Sequence, residues 1–193
     1  MPLKLGDPPG ATRDSIRDML REICPDADWQ VAQDGTVAPR DPGFCGSPVT
    51  REAVTQPPAG CRRLCSLVEG AKTVTVTVVD DLSASGGGRT IPADWNDYSN
   101  GTGSDATVNI ENRNRYRQRS PDSGDWIDVP DWIILAHELC GHALPTTKGD
   151  HLEARPGKPG YKPDWHRQSE QAEDEIRQAR GLPLRGANHG LKP

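Results

Sequence analysis

Apolar positions along the chain mark out a short series of elements. Thr12 suits the cap of a helix in which Ile16, Met19, Leu20 and Ile23 follow i, i+3, i+4, i+7, and Pro25 ends it. Trp29 to Ala38 reads as a hairpin about Asp34-Gly35, with Val31 and Val37 flanking the turn. Residues 39 to 60 form a Pro/Gly-rich loop, and Ser66 to Glu69 end a short helix. From Thr73 to Asp80, Thr and Val alternate, which makes this the clearest strand. Ser83 to Gly88 is a flexible loop, Ala106 to Ile110 a second strand, and Asn112 to Gly124 a polar loop. A long apolar run opens with Val129-Pro130-Asp131. Pro130 fits the first turn of a helix there, and Pro145 stops it, followed by a loop to Pro163. Asp164 to Arg180 is a helix that Asp164 caps, with Ala172, Ile176 and Ala179 on one side. No internal repeat is visible. Strand, strand, helix, loop, helix is an α+β plan with a small, mostly antiparallel sheet.

Inside the apolar run lies His137-Glu138-Leu139-Cys140-Gly141-His142. Two neutral imidazoles suit Zn²⁺, and a carboxylate beside them suits removal of a proton from a metal-polarised water. The usual spacing for such a pair is i, i+4, whereas here it is i, i+5. On an ideal helix, at about 100° per residue, an i, i+4 pair is offset by roughly 40° and an i, i+5 pair by roughly 140°. Both His therefore face one metal only if the helix carries an extra residue as a π-bulge, a rare feature that concentrates at functional sites. Gly141 is a place for that distortion, because glycine tolerates unusual backbone angles. The rival reading is a packed helix with hydrogen-bonded histidines. Against it stands the cost of burying three ionisable groups among Ile133, Ile134, Leu135, Leu139 and Leu144 without partners.

An open zinc site needs a third protein ligand. The candidates are Asp150, His151, His166, Glu170, Glu173, Asp174 and Glu175. His166, Glu170 and Glu173 stand at i, i+4, i+7 on one face of the last helix. Glu173 is the expected ligand. The bland alternative for each acid is a solvated helix surface.

The stretch His137 to His142 resembles the longer His-Glu-x-x-Gly-His motif of dipeptidyl peptidase III enzymes, in which a downstream Glu completes the site. More widely, residues 66 to 186 resemble the zincin-like metallopeptidase domains of secreted bacterial toxins and injection-system effectors. The matching parts are Gly101-Thr102-Gly103-Ser104 with the strand Ala106 to Ile110, Ile134 to Leu139, and Lys148-Gly149-Asp150-His151. The last is His166, seven residues before Glu173, with Gly181-Leu182-Pro183 beyond. The resemblance implies a zincin-like fold, with the sheet packed on the metal helix and on a downstream ligand helix. It implies one Zn²⁺ per chain on His137, His142 and Glu173, and Ala106 to Ile110 as the edge strand that holds a peptide substrate. It also implies secretion or injection, with an immunity protein or a delivery apparatus as partner. Asp174 stands where many such relatives carry Asn.

The chemistry expected is hydrolysis of a peptide bond in a protein or peptide substrate. Glu138 takes a proton from water and delivers it to the leaving amine. His166 is the expected donor to the oxyanion, with Tyr161, His151 and Arg177 as alternatives. Two other classes remain open: a metal-binding module without activity, and a zinc hydrolase acting on cell-wall peptides.

Composition adds bounds. At 193 residues the chain suits one domain, read here as a Cys-containing helix-hairpin segment (1–65) packed on a core (66–193). With 18 Pro and 20 Gly it is loop-rich, but five Trp argue against disorder. A net charge of −5 gives no reason to expect nucleic acid or an anionic membrane as partner. No apolar run is long enough to cross a membrane, and Met1 to Gly10 lacks a charged-then-apolar leader. The expected locations are the producing cytoplasm, or the outside by a route without a cleaved signal. Cys24, Cys45, Cys61 and Cys65 allow two disulfides in three connectivities, free thiols, or a second zinc site. Cys140 reads as a small buried apolar residue.

Overall fold

The computed structural model describes residues 3–6, 10–46, 58–80, 82, 87–111, 116–120, 123–150, 164–185 and 189–191, with side chains undescribed at 10, 11, 116, 164–166 and 189–191. Among these residues the chain runs β1 (Leu3–Leu5), α1 (Gly10–Ile23), β2 (Trp29–Val31), β3 (Val37–Pro39), α2 (Ala59–Glu69) and β4 (Val74–Val79). It continues through β5 (Gly88–Pro92), α3 (Trp95–Ser99), β6 (Ala106–Glu111), β7 (Tyr116–Arg119) and β8 (Trp126–Asp128). Then comes one long helical rod: α4 (Asp131–Ala136), a π segment (His137–Ala143) and α5 (Leu144–Lys148). It is followed by α6 (Asp164–Ala179) and β9 (His189–Leu191).

The main sheet has the order β1-β4-β6-β5. It is mixed rather than mostly antiparallel: β1, β4 and β6 run parallel, and β5 alone pairs antiparallel. Parallel neighbours need a long crossover, and α1 and α2 lie in the connection between β1 and β4. The mixed α and β content fits an α+β plan. The strand expected at the edge, Ala106 to Ile110, is interior, with β4 on one side and β5 on the other. The outer strand beyond it is β5, which begins just where a Gly-rich loop was expected. A second small sheet, β8-β7-β9, crosses the region expected as polar loop, because Tyr116 to Arg119 pairs on both sides.

In β4 and β6 the inward positions Val74, Val76, Ala106, Val108 and Ile110 are buried, while Thr75, Thr77, Thr107 and Asn109 are half-buried. This period of two presents one apolar face to the helices. The π segment packs on β5 and β6, and around it α1 contributes Ile16, Leu20 and Ile23, α2 Leu64 and Leu67, α4 Ile133 and Leu135, and α6 Ile176. They join Leu3 and Trp29 in one core. Residue 65 falls inside α2, and β1 is a strand of the main sheet. Two disulfides, Cys24–Cys61 and Cys45–Cys65, fasten α2 to the chain before it, which selects one connectivity of three.

Pro145 does not stop the helical rod, which runs on to Lys148, where Gly149 ends it at φ 70°. The helical register explains why. The Leu144 N–H reaches back five residues to Leu139 O. In that register the proline lacks a hydrogen for Cys140 O, and Arg63 Nη1 on α2 approaches that same oxygen at 3.5 Å.

Candidate metal centre

The π segment is the local structure that makes the site. In its i→i+5 register a residue five positions on returns to the same face, so His137 and His142 lie side by side. Their rings meet edge to face with centroids 4.9 Å apart. Their Nε2 atoms are 3.2 Å apart. Two Zn–N bonds of ~2.0–2.1 Å at a tetrahedral angle set their nitrogens about 3.3 Å apart, so the pair fits such an ion. Gly141 serves this geometry differently from the expectation. Its φ is not positive. Instead, a Cβ there would stand 2.7 Å from Ser169 Cα, so glycine lets α6 lie directly against the π segment.

Glu138 points into the same space. One ligand atom each from His137, Glu138 and His142 lie within 4.8 Å of one another, the group among the described residues suited to a metal ion. Thr90 on β5 donates its hydroxyl to Glu138 Oε2 at 2.7 Å. Gly88 makes room for the carboxylate, since a Cβ there would stand 2.6 Å from Glu138 Cγ. Burial pushes the Glu138 carboxyl above its ordinary pKa; the charges of His137 and Arg185 and the Thr90 hydrogen bond oppose it in part.

Glu173, the expected third ligand, lies at the other nitrogen of His137. Its Oε2 is 2.9 Å from His137 Nδ1. Arg177 Nε donates to Oε1 at 2.7 Å, and Arg185 Nη1 donates to Oε2 at 2.8 Å. Burial alone would raise the Glu173 pKa, but the His137 hydrogen bond and the charges of His137, Arg185 and Arg177 outweigh it and bring it down to about 2. The site is thus two His and Glu138 on one side of the His137 ring, and an arginine-clamped carboxylate on the other.

Other expected residues are distributed as follows. His166 belongs to α6, but its side chain falls outside the described residues, as do His151 and Tyr161. Arg177 is buried with its guanidinium on Glu173 and on Pro183 O at 3.2 Å, which removes it as an oxyanion donor. Asp174 accepts from the Arg185 backbone, and Glu175 pairs with Arg63 at 2.8 Å. Cys140 is free and fully buried, and burial pushes its thiol up to about 12, so it stays protonated. The residues that sequence reading missed are Thr90 and Arg185. Nothing in their local pattern marks them, since both reach the site from elements remote along the chain. The donor set of imidazole and carboxylate accepts zinc and other divalent ions alike. The chain matches no family model, no curated protein and no solved structure.

Proposed function

We propose that the chain is a zinc-dependent metallopeptidase, a toxin or effector domain that hydrolyses peptide bonds. The observation that carries this reading is the 3.2 Å pair of imidazole Nε2 atoms with the Glu138 carboxylate beside it. His137 and His142 would hold the ion. Bound there, zinc supplies Lewis acidity and lowers the pKa of a water toward neutrality. Glu138 accepts the proton that water gives up as it adds to the peptide carbonyl, then passes it to the departing amide nitrogen. Thr90 holds Glu138 in place for both transfers.

The substrate backbone has a place beside this base. Ala93 N donates to Asp105 O, and Glu111 N to Gly87 O, so in the β5–β6 register the odd-numbered residues of β5 bond inward. Gly88 and Thr90 therefore turn N–H and C=O outward, and Pro92 only C=O. An extended peptide added to β5 pairs beside Glu138, through Thr90. This supports peptide as the substrate class. The two disulfides support a working place in an oxidising environment outside the producing cytoplasm.

A second reading has one observation in its favour. Glu138 itself belongs to the converging group, and as a ligand it would close the site and leave no base. One experiment separates the two. Zinc per chain is measured by elemental mass spectrometry, and hydrolysis is followed on an unfolded protein and on cell-wall peptide. The peptidase reading expects Glu138→Ala to keep its zinc and lose turnover by about 10²–10⁴-fold. Loss of zinc from that variant favours the closed site, and turnover of cell-wall peptide alone redirects the substrate to the bacterial envelope.

A further inference from the structure

The segment that leaves α6 ends in the metal centre. Gly181 turns the chain at φ 65°. Leu182 N donates to Arg177 O at 2.9 Å, Arg177 Nη1 to Pro183 O at 3.2 Å, and Arg185 N to Asp174 Oδ1 at 2.7 Å. These bonds fold residues 181–185 back along the helix. They leave the Arg185 side chain 9% exposed, with Nη1 3.0 Å from His137 Nδ1 as well as against Glu173.

Three donors thus converge on one carboxylate. A guanidinium only donates, so the imidazole decides the proton placement. With Nδ1 bare, it could accept from Arg185 Nη1, but two lone-pair atoms, Nδ1 and Glu173 Oε2, would then face each other at 2.9 Å. With the proton on Nδ1, His137 and Arg185 both serve the carboxylate, and Nε2 is bare where it faces His142. To reach a metal on that side, Glu173 would have to give up three charge-assisted bonds. It would also leave Arg177, 3% exposed, as a buried unpaired charge.

We infer that Arg185 is a positioning residue of the metal site: with Arg177 it anchors Glu173 on the outer nitrogen of His137, so that Glu173 orients the ligand ring and does not enter the coordination shell. This rests on the metal-site reading above. It assigns the third protein position to a residue other than Glu173. It also makes residues 181–185 part of the site.

The test is zinc affinity by chelator competition, together with the visible spectrum of the Co²⁺-substituted chain, on variants whose fold is checked by circular dichroism. Carboxylates that orient ligand imidazoles typically contribute about 10–100-fold to metal affinity. Glu173→Ala and Arg185→Ala are each expected to weaken zinc by about that factor, without changing the shape of the Co²⁺ spectrum. Glu173→Gln keeps an acceptor for Nδ1–H and is expected to bind more tightly than Glu173→Ala. Arg185→Lys, which keeps the charge, recovers part of the loss. The inference is overturned if Glu173→Gln changes the Co²⁺ spectrum or binds no better than Glu173→Ala, since a ligand would behave so. Wild-type affinity in Arg185→Ala overturns it as well. A wild-type chain that takes up neither Zn²⁺ nor Co²⁺ overturns the metal reading itself, a distinct result.

Discussion

His137 meets a different neighbour at each ring nitrogen, and the energetics of the site follow from that division. Nε2 faces His142, while Nδ1 faces Glu173 and, through it, two arginines. With a folded pKa of about 2 against an ordinary 4.5, Glu173 is more acidic folded than unfolded. As pH falls below about 4.5 the unfolded chain takes up this proton first, so its stabilising contribution is present above that pH and is lost on the way to pH 2. The size is of the order of 3 kcal/mol, from ~1.4 kcal/mol per pKa unit. We expect the metal-free chain to lose urea resistance between pH 5 and pH 3, and Glu173→Gln to flatten that acid limb. An equal acid limb in both proteins would count against the clamp.

At the scale of elements, the π segment solves a spacing problem that an α-helix cannot. It brings an i, i+5 pair to one face, and α6 must then lie close enough to put Glu173 on His137. Gly141 sets that distance, since a Cβ would meet Ser169 Cα at 2.7 Å, a backbone atom that moves only with its helix. Gly141→Ala should therefore push α6 away, at the ~1–3 kcal/mol typical of overpacking. Urea midpoints would show the stability loss, and zinc titration a weaker site, because Glu173 leaves with α6. A variant of unchanged stability and affinity would mean that the two helices slide past the methyl. The neighbouring Pro145 shows the same economy between elements: the carbonyl that it cannot serve receives Arg63 from α2.

For the whole molecule, α2 is the brace. It packs on the π segment, on α5 and on α6, and Arg63 joins it to Glu175. Both disulfides end on it, at sequence separations of 37 and 20. Cross-links over loops of this size typically contribute about 3–4 kcal/mol each by restricting the unfolded chain. Reduction, or Cys24→Ala with Cys61→Ala, should lower the melting temperature by many degrees. An unchanged transition in differential scanning calorimetry would show that the core alone carries the fold. On the opposite side of the site β5 is the outer strand, so a backbone edge, a base and a metal-suited pair of rings share one side of the sheet.

Much of this was legible in sequence order. The i, i+5 histidines required a π distortion, and the rod supplies one at His137–Ala143. The 3.6-residue period of α1, the Thr/Val alternation of β4 and the Asp34-Gly35 hairpin appear as expected, because each follows from local backbone preference and one buried face. Whatever depends on pairing partners was not legible. Ala106 to Ile110 is equally a strand at the edge or in the middle, and only β5 docking beside it decides which. Glu173 was recognisable as a site residue, but which nitrogen of His137 it meets depends on Arg177 and Arg185. Thr90 and Arg185 lie 48 residues to either side of Glu138 and His137 respectively, and no local period links such positions. Periodicity along a chain encodes which face of an element is buried; what that face meets is decided by tertiary contacts between segments far apart in sequence.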